Sequence, residues 1–392
     1  MSQLKVNTIR HTGASSDAIT LASDGTATAK ITNNLSNRNL VINGAMNVAQ
    51  YGTSITAEGY TCDRWNLIYT GADNAPTLTQ HALTSSDTGP WAKGFRNSLH
   101  LQNGNQSSGA GANDYMIIRY CIEAQDLANS GWDYTSASSY ITLSYWVKSS
   151  VAQNFYNYLR THDGTLQLYC WETGALSANT WTKITKTIPG NSNITIDNNN
   201  GGGMYITIPL WWGGTWTNNN SLNTWAAYDT NNRTPDGTST WYTTDDATYE
   251  ITGVQLEVGD VATDFEHRSY HDDLARSQRY YYAHLNPLDS SNSTLGLAMY
   301  YDSGRAMMYV KFPVTMRTPP TAEITDVSNG YQLWVGGTYD FVDEFHIDTT
   351  DAGSVNGCEL ESDSEASGTT GNSAYVRRTN TSTTKFAFSA EL

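Results

Sequence analysis

The sequence predicts an all-β chain built from sandwich or barrel domains, and three observations support that expectation. Thr, Tyr, Trp, Val and Ile alternate with polar residues over most of the 392 positions, the period-two signature of strands half in a core. Gly, Asn, Ser and Asp cluster between those rows at short intervals, as turn residues do. Helical spacing occurs in one stretch, and no fixed-period repeat of a solenoid or β-helix is present. The length suits two or three domains.

Taken in order, the first 37 residues are rich in Ser, Thr, Ala and Asn and nearly free of aromatics. Such a segment cannot bury a core of its own. It is expected to be an N-terminal arm, either a disordered lead or an extended arm that orders against partner chains. Met116, Ile118, Tyr120 and Ile122 then fall on one strand face. Tyr140 to Val147 sets Ile141, Leu143, Tyr145 and Val147 against Thr142, Ser144 and Trp146. Met204, Ile206, Ile208 and Leu210 repeat the pattern, as do Thr252, Val254, Leu256 and Val258. The segments Asn191 to Gly203 and Thr215 to Asn223 are Asn/Gly-rich and read as irregular loops. Ser269 opens the helical stretch with a carboxylate, Asp272, three residues on, which is capping-box form. Leu274, Gln278 and Tyr281 or Tyr282 follow at helical spacing, acids in front and arginines behind. A short helix is expected there, joining two β domains. Strand patterning resumes in Leu295 to Tyr301, Ala306 to Phe312, Tyr331 to Val335 and Lys385 to Ala390.

Composition excludes several partners. The formal charge of -16 comes from 38 acidic and 22 basic residues, which argues against nucleic acid and against anionic lipid. No apolar run approaches the ~18 residues of a membrane helix. The opening Met1-Ser2-Gln3-Leu4-Lys5 resembles neither a signal nor a transit peptide. With 12 Trp, 25 Tyr and 8 Phe the chain is expected to fold. Cys62, Cys121, Cys170 and Cys358 are scattered without a C-x-x-C pair and read as reduced thiols of an intracellularly assembled protein.

A search for catalytic chemistry returns little. The sequence holds no G-x-S-x-G, H-E-x-x-H, P-loop or G-x-G-x-x-G after a strand. A glycosidase carboxylate pair depends on spatial separation, which the sequence does not display. The adjacent pairs Asp245-Asp246 and Asp272-Asp273 read as solvated, and His267, between Glu266 and Arg268, as a surface or interface residue. No catalytic residue is expected, and the chain is expected not to be an enzyme. From Thr318 to Val376 there is no Lys or Arg, while Glu323, Asp326, Asp340, Asp343, Glu344, Asp348, Asp351, Glu359, Glu361, Asp363 and Glu365 all occur. A solvated acidic face is the leading reading; a structural Ca²⁺ site, without EF-hand spacing, is its alternative. No other cofactor is expected.

The aromatic residues are more informative. Trp211, Trp212, Trp216, Trp225, Tyr228 and Trp241 are interleaved with Asn, Thr and Asp. Flat rings pack on the C–H faces of sugars while amides and carboxylates meet their hydroxyls, so these six are the candidate glycan-binding residues. The competing expectation is that Trp211 or Trp212 faces the core and that others fill subunit contacts.

Several motifs also carry a resemblance. Asn39-Leu-Val-Ile-Asn-Gly-Ala-Met46 followed by Asp63-Arg64-Trp65, the W-V-K run within Ile141 to Ser149, and Trp181 to Gly190 resemble the jelly-roll module of many tailed-bacteriophage fibre proteins. The most specific piece runs from Ile251 to Tyr270 and continues through Ala275 to Tyr281. It is similar to runs in tail fibre and related virion proteins, especially those of marine phages infecting cyanobacteria. Phe312 to Pro320 resembles a segment of their C-terminal β domains.

The resemblance, over about residues 38 to 320, implies a carbohydrate-binding-module-like jelly roll, homotrimeric assembly and a role in host recognition at the virion surface. It implies core anchors at Trp65 and Phe265 and an ion pair between Asp63 and Arg64 joining first and last strands. The expected organisation is an attachment arm (1–37), the jelly roll (38–270), and a short helix with a smaller C-terminal β-sandwich (271–392). The expected protein is a virion component assembled in the host cytoplasm, docked to other tail or capsid proteins through its arm and binding host-cell glycan. A purely architectural capsid-decoration or tail-adaptor protein is the alternative, and a polysaccharide depolymerase a more remote one.

Overall fold

The structure, a computed structural model, describes residues 5–25, 27–29, 37–285, 293–347, 353–379 and 385–392. It is all-β, as the alternation predicts: a jelly-roll sandwich, a short helix, and a smaller sandwich after it.

The first sandwich pairs a six-stranded with a seven-stranded antiparallel sheet. The six-stranded sheet runs Thr182–Pro189, Tyr140–Ser149, Thr248–Val258, Asn97–Gln102, Thr77–Ala82, Ser54–Ile55. The seven-stranded sheet runs Trp225–Ala227, Gln167–Glu172, Tyr156–Thr161, Gly202–Trp212, Tyr115–Glu123, Trp65–Thr70, Gly59–Tyr60. Between them lies one apolar core, to which three of the predicted rows contribute every member: Met116 to Ile122, Ile141 to Val147 and Met204 to Leu210. Trp65, Trp171 and Trp241 are fully buried in it.

The fourth row needs a correction. Thr252 does not share the inward face of Val254 and Leu256; Ile251 does. The register against Tyr140–Ser149 slips between Ser144 and Trp146, the mark of a bulge. Gly253 provides it at φ +64°, where a Cβ would lie 2.6 Å from the Phe95 ring. One extra residue reverses the parity of the strand, and only a glycine fits against that ring.

Helix Tyr270–Gln278 begins where the capping box predicts, with the Asp272 amide donating to Ser269 Oγ at 3.1 Å. Its inner face is polar, however. Asp273 and Ser277 are buried. Asp273 is therefore not solvated: Arg268 lies 3.9 Å from its carboxylate.

The second sandwich packs a seven-stranded sheet against Tyr281–Leu285, Phe386–Ser389 and Thr321–Ile324 around its own core, which includes Phe312, Tyr331, Leu333, Phe386 and Phe388. Polar contacts tie it to the first. Arg279 and Tyr280 donate to Glu123 at 2.6 Å each, and the Arg317 guanidinium donates to Asn200 O and Ala390 O.

Within the N-terminal segment, Thr8–Ile9, Ile19–Leu21 and Ala27–Ala29 pair as an antiparallel meander. Over these residues the segment forms a small sheet, and the pairing satisfies its backbone groups. Its described side chains include none that is buried. Residues 1–4, 26 and 30–36 of the predicted arm lie outside the described residues.

Candidate functional site

Strand alternation places the site. Because Met116, Ile118, Tyr120 and Ile122 point into the core, Ile117, Arg119 and Cys121 point outward from the seven-stranded sheet. The same parity turns Tyr205 and Thr207, Tyr158 and Arg160, and Leu168 and Cys170 outward. Register aligns them: Asn66, Arg119, Thr207, Tyr158 and Cys170 form one cross-strand row. Cys121, Tyr205, Arg160 and Leu168 form the next.

The chain after Trp212 folds back over part of this face. Trp216, Leu222 and Tyr228 pack on Ile117, Tyr158, Leu168, Cys170 and Trp212 as a second small apolar cluster. Arginines stack on the rings at its surface. The Arg233 guanidinium lies 4.3 Å from the Trp212 ring centroid and 4.7 Å from that of Trp216. Arg160 lies 5.0 Å from Tyr228 and 4.9 Å from Tyr205, and Arg119 lies 5.3 Å from the same Tyr205 ring. All three arginines are half-buried. Among the described residues none of them pairs with a carboxylate, and the side chains of Arg119 and Arg160 make no hydrogen bond. Burial, then the Cys121 thiol, pushes the Tyr205 phenol up to about 12 against the pull of Arg160 and Arg119. The ring therefore stays protonated at neutral pH and, buried as it is, serves as a neutral partner for the two guanidiniums.

Of the six aromatic candidates, this face gathers Trp212, Trp216 and Tyr228. Trp216 is half-buried, its indole donating to Asn113 O at 3.1 Å. Trp212 is buried beneath Arg233. Trp211 and Trp225 pack instead on the main core, Trp211 stacked on Tyr242 at 5.9 Å and Trp225 donating to Pro189 O at 2.7 Å. Trp241 is a correction: it is 0% exposed, and its indole donates to Thr248 O at 3.0 Å. The short helix Thr240–Thr243 plugs it into the end of the sandwich, beyond the reach of a sugar. Arg119, Arg160, Arg233, Tyr158 and Tyr205 join the face without standing out in the sequence. The parity that sends Ile118 and Ile206 inward already implies Arg119 and Tyr205 outward; nothing local marks Arg160 or Arg233.

The residues singled out as structural also separate. Trp65 is fully buried, its ring 4.9 Å from Tyr120. Phe265 is half-buried on a satellite cluster, edge-on to Phe95 at 4.8 Å, and so does not anchor the main core. Asp63 and Arg64 form no pair with each other. Asp63 accepts from Gln50 N at 2.7 Å and Gln50 Nε2 at 2.5 Å, and burial raises its carboxyl to about 7 against those hydrogen bonds. Arg64, at φ +76°, turns the other way to pair with Glu391 and to lie 3.5 Å from the Tyr280 ring. It therefore joins the jelly roll to the C-terminal segment.

The outer face of the six-stranded sheet is built differently. Glu250 lies 2.7 Å from Lys148 Nζ, 3.2 Å from His81 Nδ1 and 3.6 Å from His100 Nδ1, and accepts from Ser98 Oγ at 2.8 Å. Burial opposes its charge, yet His100, Lys148 and Ser98 together hold its carboxyl well below the ordinary range. His81, His100 and Glu250 are metal-ligand types with ligand atoms within 4.8 Å of one another, but the Lys148 ammonium already supplies the positive charge there. The same sheet borders a cavity of about 290 Å³ lined by Phe95, Trp146, Lys183, Phe265 and His267, among others. Its Lys93 lies 3.6 Å from Asp264, and His267 Nε2 is 2.8 Å from Lys93 O.

In the acidic run, Glu323 pairs with Lys385 and Glu361 with Arg305. Asp343, Asp363 and Glu365 converge. Burial, then the Asp343 charge, raises Asp363, whose charge in turn raises Glu365. Asp348 and Asp351 lie outside the described residues.

The second sandwich exposes an apolar face assembled from residues scattered along the sequence. Trp334 pairs across strands with both Tyr339 and Tyr375, and Tyr375 with Leu297. Leu297 is 64% exposed, Tyr309 63%, Tyr375 55% and Tyr339 50%.

Comparison with solved structures gives similarities at low identity. The chain is similar to the enzymatically active domain of tailspike protein 4 of bacteriophage CBA120, with 14% identity and a TM-score of 0.30. That match covers 56% of this chain and 21% of the tailspike chain, so the chain spans about a fifth of it. It is similar to the N-terminal cellulose-binding domain of Cellulomonas fimi β-1,4-glucanase C, with 12% identity and a TM-score of 0.27 over 54% of this chain and 97% of that one. A family 11 carbohydrate-binding module of a Clostridium thermocellum cellulosomal cellulase matches with 12% identity and a TM-score of 0.25, over 53% of this chain and 98% of that one. No protein-family model and no curated protein matches the chain.

Proposed function

We propose that the chain is a non-enzymatic structural protein of a tailed-phage virion, a tail fibre or related appendage, that binds glycan on the host surface. The observation that carries the recognition reading is the outer face of the seven-stranded sheet, where half-buried Trp216 and Tyr228 sit beside half-buried arginines that, among the described residues, have no carboxylate partner. Rings and guanidiniums on a rigid sheet suit sugar faces and their polar substituents. The motifs at residues 39–46, 63–65 and 251–281 support the virion setting. Weak single sites would gain avidity from several copies on one particle.

The exposed face around Trp334, Tyr339, Tyr375 and Leu297 supports assembly of several copies, a homotrimer, because monomers rarely leave so much contiguous apolar surface in water. It equally favours the architectural reading, in which this surface serves capsid or tail contacts alone. Adsorption separates the two. Purified protein should bind host cells, and Trp216→Ala with Tyr228→Ala should abolish binding while the melting transition persists. Undiminished binding by that variant would overturn the assignment of this face, and absence of binding by the unaltered protein would favour architecture. Light scattering should give a mass near three chains; a mass of 43.1 kDa at micromolar concentration would exclude the trimer.

A further inference from the structure

We infer that the face bearing Arg119, Arg160 and Tyr205 selects acidic glycan, a polysaccharide carrying uronic acid carboxylates. The inference deepens the glycan reading and rests on it.

Three observations support it. First, the chain carries 38 acidic against 22 basic residues, so an arginine on its surface has carboxylates to choose from. Arg64 pairs with Glu391, Arg268 with Glu266, Arg279 with Glu123 and Arg305 with Asp302, while Arg96, Arg276 and Arg317 donate to backbone or amide oxygens. Among the described residues Arg119 and Arg160 have neither a carboxylate nor a hydrogen-bond partner and meet rings alone. Second, both guanidiniums stack against one ring, that of Tyr205. Two like charges brought to one partly desolvated ring repel, and the ring's quadrupole offsets only part of that cost. An anion bound at the guanidiniums would relieve it. Third, the strands fix the spacing. Arg160 is directly opposite Tyr205 and Arg119 directly opposite Thr207 in the ladder, so the two planar forks are held by the sheet and not by a loop.

A planar fork matches a carboxylate bidentately, where an ammonium would act as a point charge. The half-buried Tyr228 ring beside Arg160 offers apolar surface for a sugar ring. Together they specify a saccharide that presents a carboxylate and a C–H face within one residue, which describes a uronate.

The test is affinity electrophoresis of the full chain through gels holding polygalacturonate, alginate, dextran sulfate or neutral dextran. The expected result is retardation by polygalacturonate or alginate and none by dextran. Arg119→Ala with Arg160→Ala should weaken uronate binding about tenfold or more, and Arg160→Lys should recover only part of it. The melting transition of these variants should be unchanged, since among the described residues neither side chain has a carboxylate or hydrogen-bond partner to lose. Three outcomes would overturn the inference while leaving glycan recognition intact: retardation by dextran equal to that by the uronates, uronate binding indifferent to both arginines, or retardation by dextran sulfate alone. If no polysaccharide retards the protein and host cells do not bind it, the glycan reading itself falls.

Discussion

The two outer faces of the jelly roll solve the same electrostatic problem in opposite ways. On the six-stranded sheet, Glu250 is enclosed by Lys148, His81, His100 and Ser98, and Lys148 also reaches Asp87 at 3.1 Å. Each charge in that network has a partner within the protein. On the seven-stranded sheet and the segment laid over it, Arg119, Arg160 and Arg233 meet aromatic rings and, among the described residues, no carboxylate. A closed network contributes to the stability of its own strands, whereas cations without carboxylate partners contribute little to stability and are free to meet a ligand. The contrast is what sets the proposed site apart: its cations meet rings where those of the other face meet a carboxylate.

Removing Glu250 is the strongest way to test it. Glu250→Ala leaves Lys148 with Asp87 alone and should lower stability by about 3 kcal/mol, at the lower end for breaking a buried pair. Denaturant titration would measure this, and a loss under about 1 kcal/mol, the worth of an exposed pair, would remove the distinction between the faces.

Acid should act through the same carboxyl. The Glu250 pKa is depressed, so its contribution is present above the ordinary carboxylate range and lost as pH falls below it. The stability lost between about pH 6 and pH 3 should therefore shrink in Glu250→Gln. Asp63 has the opposite sign. Its carboxyl is raised to about 7, so its contribution is full below its unfolded pKa of about 4 and is lost as pH rises to 7. Asp63→Asn should stabilise the protein at about pH 8 relative to its effect at about pH 4, and denaturant titrations at the two values would show it.

Gly253→Ala tests the bulge that displaces one end of the Glu250 strand. A φ of +64° and a Cβ 2.6 Å from the Phe95 ring should cost about 2 kcal/mol, seen as an earlier unfolding transition. The smallest effect belongs to the other face. Arg160→Ala should change stability by no more than about 0.5 kcal/mol, and a larger loss would mean that its stacking on Tyr205 and Tyr228 supports the sheet.

Much of the fold is legible in the sequence because strand parity is local. The rows at Met116, Ile141 and Met204 enter the core as the alternation requires, and Ser269 caps its helix through a contact three residues long. The row at Thr252 breaks because Gly253 inserts a bulge, which alternation counts as an ordinary position. Adjacency in sequence suggests a pair between Asp63 and Arg64; a left-handed backbone at Arg64 sends the two side chains to different partners.

The site is less legible, for a physical reason. Six aromatic residues are visible as a composition, but whether a ring meets solvent depends on what the rest of the chain lays over it. Helix Thr240–Thr243 buries Trp241, while the segment after Trp212 brings Trp216 and Tyr228 together with Arg160 from a strand far earlier in the chain. Sequence by itself determined that the chain is all-β, acidic, aromatic and divided by a capped helix, since composition, period and capping are properties of neighbours. Tertiary structure alone decided which arginines, among the described residues, meet rings and no carboxylate, because a missing partner is a fact about every residue that might have come near.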